Sequence, residues 1–226
     1  MGAPTGYIGI DLGCSAASRR PTSGVAILDS HGKLLAEPSH FRSITDLQAV
    51  LFSCDLENSI VAVDAPRSVP DHREENYSER SCERDLRAET KGFVGTFSGV
   101  AALYFRWYEI ESRLFSRAKV IETYPGQAWG RLQLPGRPKE YRRNRTEIMH
   151  RLAELVGGAF ERLSHHQADA IICAYTAWCY QQGQINWYGT PGEGLLILPA
   201  HGRHQRPEPV QEEINADFRR FPSMVD

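Results

Sequence analysis

The sequence lacks the devices that small or secreted proteins use for support. Its five cysteines, Cys14, Cys54, Cys82, Cys173 and Cys179, are odd in number and form neither a CxxC pair nor a zinc-type spacing. That excludes a zinc ribbon and a disulfide framework, and it predicts reduced thiols in an intracellular protein. No uninterrupted apolar run approaches the roughly 18 residues of a membrane span. The first residues show no basic segment followed by an apolar one, so no signal peptide is expected. These absences predict a cytoplasmic protein with no membrane partner. Strong charge of either sign is also missing: the net charge is −2, so any basic surface for an anionic partner has to be local. There is no internal repeat and no low-complexity block.

What remains is an ordinary globular chain of 226 residues, long enough to bury one substantial core. Apolar alternation predicts strands over 6–13, 23–29, 59–64 and 119–123, another beginning at Leu34, and a short last one over 195–198. Three- to four-residue spacing predicts helices near 44–52, 78–90, 99–115, 144–156 and 165–181, with Thr45 as N-cap of the first. Pro125 is expected to end the 119–123 strand. Three strands joined by short turns, then alternating helices and strands, predict an α/β fold: a mixed sheet with helices on both faces. Residues 1–199 read as one domain and 200–226 as a polar tail.

Four carboxylates stand beside apolar sequence, where a charge is costly unless offset. Asp11 falls in Tyr7–Leu12, on the side of the strand opposite Ile8, Ile10 and Leu12. Asp64 ends Ile60–Val63, and ligands of open α/β sheets gather beyond such strand ends. Glu122 follows Val120 and Ile121. Asp169 sits in Ala168–Tyr175; Ser164 and Gln167 fit a capping box, which places Asp169 inside the helix and not at its cap. Each has a plainer alternative. Asp11 and Asp64 precede turn residues, Glu122 has arginines in reach of the sequence, and a helix N-terminus partly stabilises Asp169. His165 and His166 lie four and three residues before Asp169, so a histidine can share its face; one of them is a candidate proton carrier or outer partner of that carboxylate, a solvent-exposed first turn is the plainer fate, and His166 is also a candidate substrate contact.

Several acidic side chains at rigid strand ends are what a pair of divalent ions roughly 3.5–4 Å apart needs beside a phosphodiester. Magnesium and manganese prefer oxygen ligands. The catalytic and metal-binding candidates are therefore Asp11, Asp64, Glu122 and Asp169, with Mg²⁺ or Mn²⁺ as cofactor and Asp11 as the expected bridging ligand. Local basic sequence offers phosphate contacts. Residues 137–151 carry six Lys/Arg against two Glu. Arg80, Arg84 and Arg87 share a helix face by spacing, and Lys91 follows. These contact phosphate or neutralise the acidic residues structurally. Tyr124, Trp129 and Tyr141 are candidates for base stacking or for core packing.

Gly9-Ile10-Asp11-Leu12-Gly13 followed by the strand Thr22–Leu28, the Val61–Asp64 strand and His166–Ala170 together resemble the ribonuclease-H-like superfamily. The last of these looks like the acidic C-terminal helix of its Holliday-junction resolvases. Asp64-Ala65-Pro66, Arg80–Arg87, Glu122-Thr123-Tyr124-Pro125 and Glu193-Gly194 are similar, in order and spacing, to a family of predicted ribonuclease-H-like nucleases, over about residues 6–199. The resemblance implies a five-stranded mixed sheet, divalent metal and hydrolysis of nucleic acid, DNA or RNA. Two other classes compete. One is a non-catalytic nucleic-acid-binding module of the same fold. The other is an ATPase or kinase of the actin and sugar-kinase class, whose first phosphate loop Gly9–Gly13 resembles; the second Asp-Gly-rich loop of that class is missing from the sequence.

Overall fold

The computed structural model describes residues 6–13, 22–70, 78–90, 97–135, 144–191 and 193–200. Within them the fold is mixed α/β. The strands are β1 (Gly6–Asp11), β2 (Ser23–Leu28), β3 (Ser39–Phe41), β4 (Ser59–Asp64), β5 (Lys119–Thr123), β6 (Ile185–Thr190) and β7 (Gly194–Pro199). The helices are α1 (Ile44–Val50), α2 (Ser81–Thr90), α3 (Phe97–Leu114), α4 (Pro125–Arg131), α5 (Arg145–Val156) and α6 (His165–Gln181).

One sheet runs in the order β3-β2-β1-β4-β5-β7-β6. β1, β4, β5 and β7 are parallel neighbours, flanked by antiparallel β2 and β6. Seven strands thus replace the five that the resemblance implied. The extra pair is the β6–β7 hairpin, which adds to β5 after α6. β6 is hard to see in the sequence because Asn186, Gly189 and Thr190 break its apolar run.

Other differences have local causes. The Asp29 carboxylate accepts from the backbone N–H groups of His31 (2.8 Å) and Lys33 (2.9 Å), closing the turn. Leu34 then makes only an isolated bridge to Leu28, and β3 forms later than expected, at Ser39. Ser43, not Thr45, caps α1, in a reciprocal capping box with Asp46. Pro125 ends β5 but also starts α4, because a proline at the first helical position gives up no intrahelical hydrogen bond. In α6 the capping box of Ser164 and Gln167 forms as the sequence predicts.

Two apolar clusters cover the sheet, one on each face. Ile8, Ile10, Val61, Val63 and Val120 pack under Leu47 of α1 and Trp107 and Ile110 of α3. Tyr7, Ala26, Ala62 and Ile121 pack against α6, with α2, α4 and α5 around it. Alternation along β1 therefore turns Asp11 toward α6. Two glycines let α6 lie directly on the strands. A Cβ on Gly9 would meet Ala170 O at 2.0 Å, and one on Gly24 would meet His166 O at 2.0 Å. No described helix is long and apolar enough to cross a membrane.

Candidate functional site

The sheet brings the first two candidates together through its register. Asp11 and Asp64 are paired residues at the carboxyl ends of the parallel strands β1 and β4. α6, seated on its glycine contacts, adds Asp169 and His166 from above. Asp11 and Asp169 are buried, and Asp64 keeps part of its surface open. The Asp11 and Asp64 carboxyls crowd each other and Asp169. His166 Nδ1 bonds to Asp11 Oδ2. Trp129 Nε1, from α4, donates to Asp169 Oδ1 at 2.6 Å.

The electrostatics follow from this crowding. Loss of water raises the Asp11 carboxyl well above the usual carboxylate range, and the charge of Asp169 raises it further; Arg106 opposes both. Asp64 is also raised well above that range, by loss of water first and then by Asp11 and Asp169. His166 is lowered by burial. Cys173, one turn beyond Asp169 and fully buried, bonds to the Asp64 backbone, and burial among these acids pushes its thiol up. It fills space under the cluster as a neutral thiol.

Glu122 is oriented otherwise. Arg80 Nη2 and Nη1 donate to its Oε1 (2.6 Å) and Oε2 (2.8 Å), and the Arg67 backbone N–H donates to Oε2 at 2.9 Å. Both partners of the Arg80–Glu122 pair are nearly sealed, at 3% and 4% side-chain exposure. The plainer alternative for Glu122, an arginine pair, is therefore what the structure contains. Arg80 also bonds Glu83 Oε1 through Nε (3.1 Å) and Nη2 (3.0 Å). Arg67 in turn binds Glu111 and donates to Val120 O at 2.7 Å.

The basic residues differ from the sequence expectation in the same way. Arg80 precedes α2 and does not share a face with Arg84 and Arg87, because Glu83 folds back to accept from Arg80 N (3.1 Å) and the helix starts at Ser81. Its guanidinium is buried, so it neutralises Glu122 and is unavailable to a substrate. Arg84 donates to Glu79 O at 3.2 Å, and Arg87 pairs with the Glu79 carboxylate; both remain partly exposed. Lys91, Tyr141 and residues 137–143 of the basic stretch lie outside the described residues. Glu193, of the late Glu-Gly, accepts from Ser81 N at 2.6 Å and so ties the β6–β7 turn to the start of α2.

Three functional neighbours are not marked for these roles by the sequence. Trp129 reads there only as a stacking or core aromatic; its ring is core, but its N–H serves Asp169. Arg106 reaches Gly13 O (2.8 Å) from α3, and Arg67 follows directly on the Asp64 segment. The position of Arg67 three residues after Asp64 is the one sequence signal for either arginine.

The donor chemistry suits a hard divalent ion: three carboxylates, two of them raised by burial and mutual repulsion. Among the described residues, however, no three His, Cys, Asp or Glu side chains already point at one cation position. Their oxygens point at one another, at His166 and at Trp129.

No family model and no curated protein matches the chain. Among solved structures it is similar to T. thermophilus RuvC in complex with Holliday junction substrate, at 14% identity and a TM-score of 0.44, over 79% of this chain and 96% of that one.

Proposed function

We propose that the protein is a nuclease that hydrolyses phosphodiester bonds of nucleic acid with Mg²⁺ or Mn²⁺ held by Asp11, Asp64 and Asp169. The observation that supports this reading is the convergence of Asp11 and Asp64, at adjacent parallel strand ends, with Asp169 of α6, so closely that burial and the neighbouring acids raise both strand-end carboxyls. The ions supply an activated water and charge stabilisation at the leaving oxygen. The chain's own groups do the rest. Asp11 sits between Asp64 and His166, which suits it to bridge. His166 Nδ1 engages Asp11 Oδ2 and so orients that carboxyl group. Trp129 fixes Asp169 in the same way. Partly open Asp64 marks the side from which a phosphate approaches. Glu122 belongs to this reading as the counter-charge of Arg80, holding the segment after Asp64 in place, and not as a ligand. All of these residues fall within 1–199.

The test incubates single-stranded, duplex, junction and hybrid oligonucleotides with Mg²⁺ or Mn²⁺. Asp11→Asn and Asp64→Asn should each lower cleavage at least about 100-fold, the loss seen when even the outer partners of metal ligands are removed. Cleavage that survives both substitutions sinks the assignment. Binding without cleavage in either metal favours the non-catalytic module, and nucleotide hydrolysis without strand cleavage favours the ATPase class.

A further inference from the structure

A second concave site lies on the opposite face of the sheet from α6. It is a cleft of about 330 Å³ between the segment entering α1 and the α3 stretch from Arg106 to Arg113. Phe41 and Ile110 form its buried apolar floor. Its walls carry three guanidinium groups, those of Arg42, Arg106 and Arg113, against one carboxylate, Glu109. In a chain of net charge −2 this is a concentrated positive surface. The Glu109 carboxylate does not cancel it. Its pair with Arg113 spans 3.0 Å, with Arg113 62% and Glu109 55% exposed, where such pairs contribute little and exchange readily. Arg42 engages Asp46 through its backbone N–H (3.0 Å), and no side-chain partner of its guanidinium is found among the described residues.

Arg106 links this cleft to the acidic cluster. One of its nitrogens donates to Gly13 O at 2.8 Å, two residues past Asp11, and the guanidinium carbon lies 6.0 Å from the centre of the Phe41 ring. Planar guanidinium groups recognise phosphate oxygens in pairs, and the Ser43 and Thr45 hydroxyls on the same wall add neutral donors. The outer side of α3 next to the cleft exposes Phe105 (62%) and Tyr108 (45%). Phe105 and Glu109 are i, i+4 neighbours on the helix surface. Cations interleaved with exposed aromatic rings suit a strand that alternates phosphates and bases better than a free anion.

The geometry points to this cleft as a docking site for the sugar–phosphate backbone of a nucleic-acid strand, holding its flank while another part of the strand lies at the Asp11–Asp64–Asp169 cluster. The choice of nucleic acid rests on the nuclease reading. Inorganic phosphate presents the same oxygens, and the test separates the two.

Binding of a labelled single-stranded oligonucleotide is measured by fluorescence anisotropy without divalent ion, over a series of salt concentrations. Arg42→Glu and Arg113→Glu, singly and together, are compared with Lys33→Glu, the charge change of either single variant in the turn after β2, and thermal melting checks each fold. The double variant should weaken binding about 10-fold or more. It should also flatten the dependence of log affinity on log salt by about 0.7 for each phosphate no longer neutralised. Lys33→Glu should stay near wild type. The proposal is overturned if wild type binds no oligonucleotide, if the double variant binds like Lys33→Glu, or if inorganic phosphate saturates the cleft while the oligonucleotide salt slope is unchanged by the substitutions. Arginine-dependent binding with no cleavage in Mg²⁺ or Mn²⁺ leaves the docking site standing and removes the nuclease reading.

Discussion

The acidic cluster and the Arg80–Glu122 network occupy neighbouring strand ends, and both bury carboxylates. Glu122 stands in register with Val63, one residue before Asp64. Yet their carboxylates are offset in different ways. In the network, Glu83, Glu111 and Glu122 each touch a guanidinium directly. In the cluster, Asp11 and Asp64 crowd each other and Asp169, and both carboxyls are raised. Buried charge that is already matched serves the fold. Buried acids that crowd one another without a guanidinium are the ones the nuclease reading offers to a cation. Residue type and burial therefore do not tell a ligand from a strut; the partner does.

The same acid-to-amide exchange should then act with opposite sign in the two places. The largest expected effect is at Glu122. Glu122→Gln leaves Arg80 buried without its charge partner and should destabilise the protein by about 3–5 kcal/mol in denaturant unfolding. A loss under about 1 kcal/mol, the range of an exposed pair, would break the comparison from this side.

Trp129→Phe comes next. It keeps an aromatic ring in place but removes the hydrogen bond to Asp169, and it should weaken Mn²⁺ affinity about 10-fold by calorimetry. An unchanged affinity means that the indole is only packing.

Asp64→Asn should stabilise the metal-free protein at neutral pH, because a neutral amide faces Asp11 and Asp169 without having to hold a proton against the fall in proton activity. Each kcal/mol relieved raises the melting temperature by about 2–4 °C in a chain of this size. A lower melting temperature would show that Asp64 is as well matched as Glu122, and the contrast would fail.

The smallest expected effect is the pH dependence of that difference. Asp11 and Asp64 have folded pKa values raised above their unfolded ones, so the folded state binds more protons. Their stabilising contribution is complete below the unfolded carboxylate pKa, about 3.9, and is lost as pH rises through the raised folded values. Melting of metal-free wild type should fall relative to Asp64→Asn over that rise, and Mn²⁺ should restore it by binding only the folded form. Parallel curves without metal would contradict the raised carboxyls.

Much of the local structure is legible in the sequence because it depends on near neighbours. The capping box at Ser164 sets the start of α6, and alternation in Tyr7–Leu12 sets the face of Asp11. Legibility ends where a short polar side chain redirects the backbone, as Asp29 does before β3 and Ser43 does at α1. It also ends at β6, whose pairing comes from a partner strand and not from its own pattern. At the site, the sequence marks Asp11, Asp64, Glu122 and Asp169 as costly to bury, but that cost is the same whether a proton, an arginine or a metal ion offsets it.

By itself, then, the sequence determined an α/β chain with helices on both faces of a sheet and four acids placed against apolar strands and a helix. Those are consequences of periodicity and solvation, which act within a few residues. Only the tertiary structure decided that three acids converge and the fourth does not. Strand register put Asp11 beside Asp64, and bare glycines let α6 bring Asp169 within range. Arg80, 42 residues away in sequence, claimed Glu122. Coulomb interactions depend on distance in space, and that distance exists only once the sheet has formed.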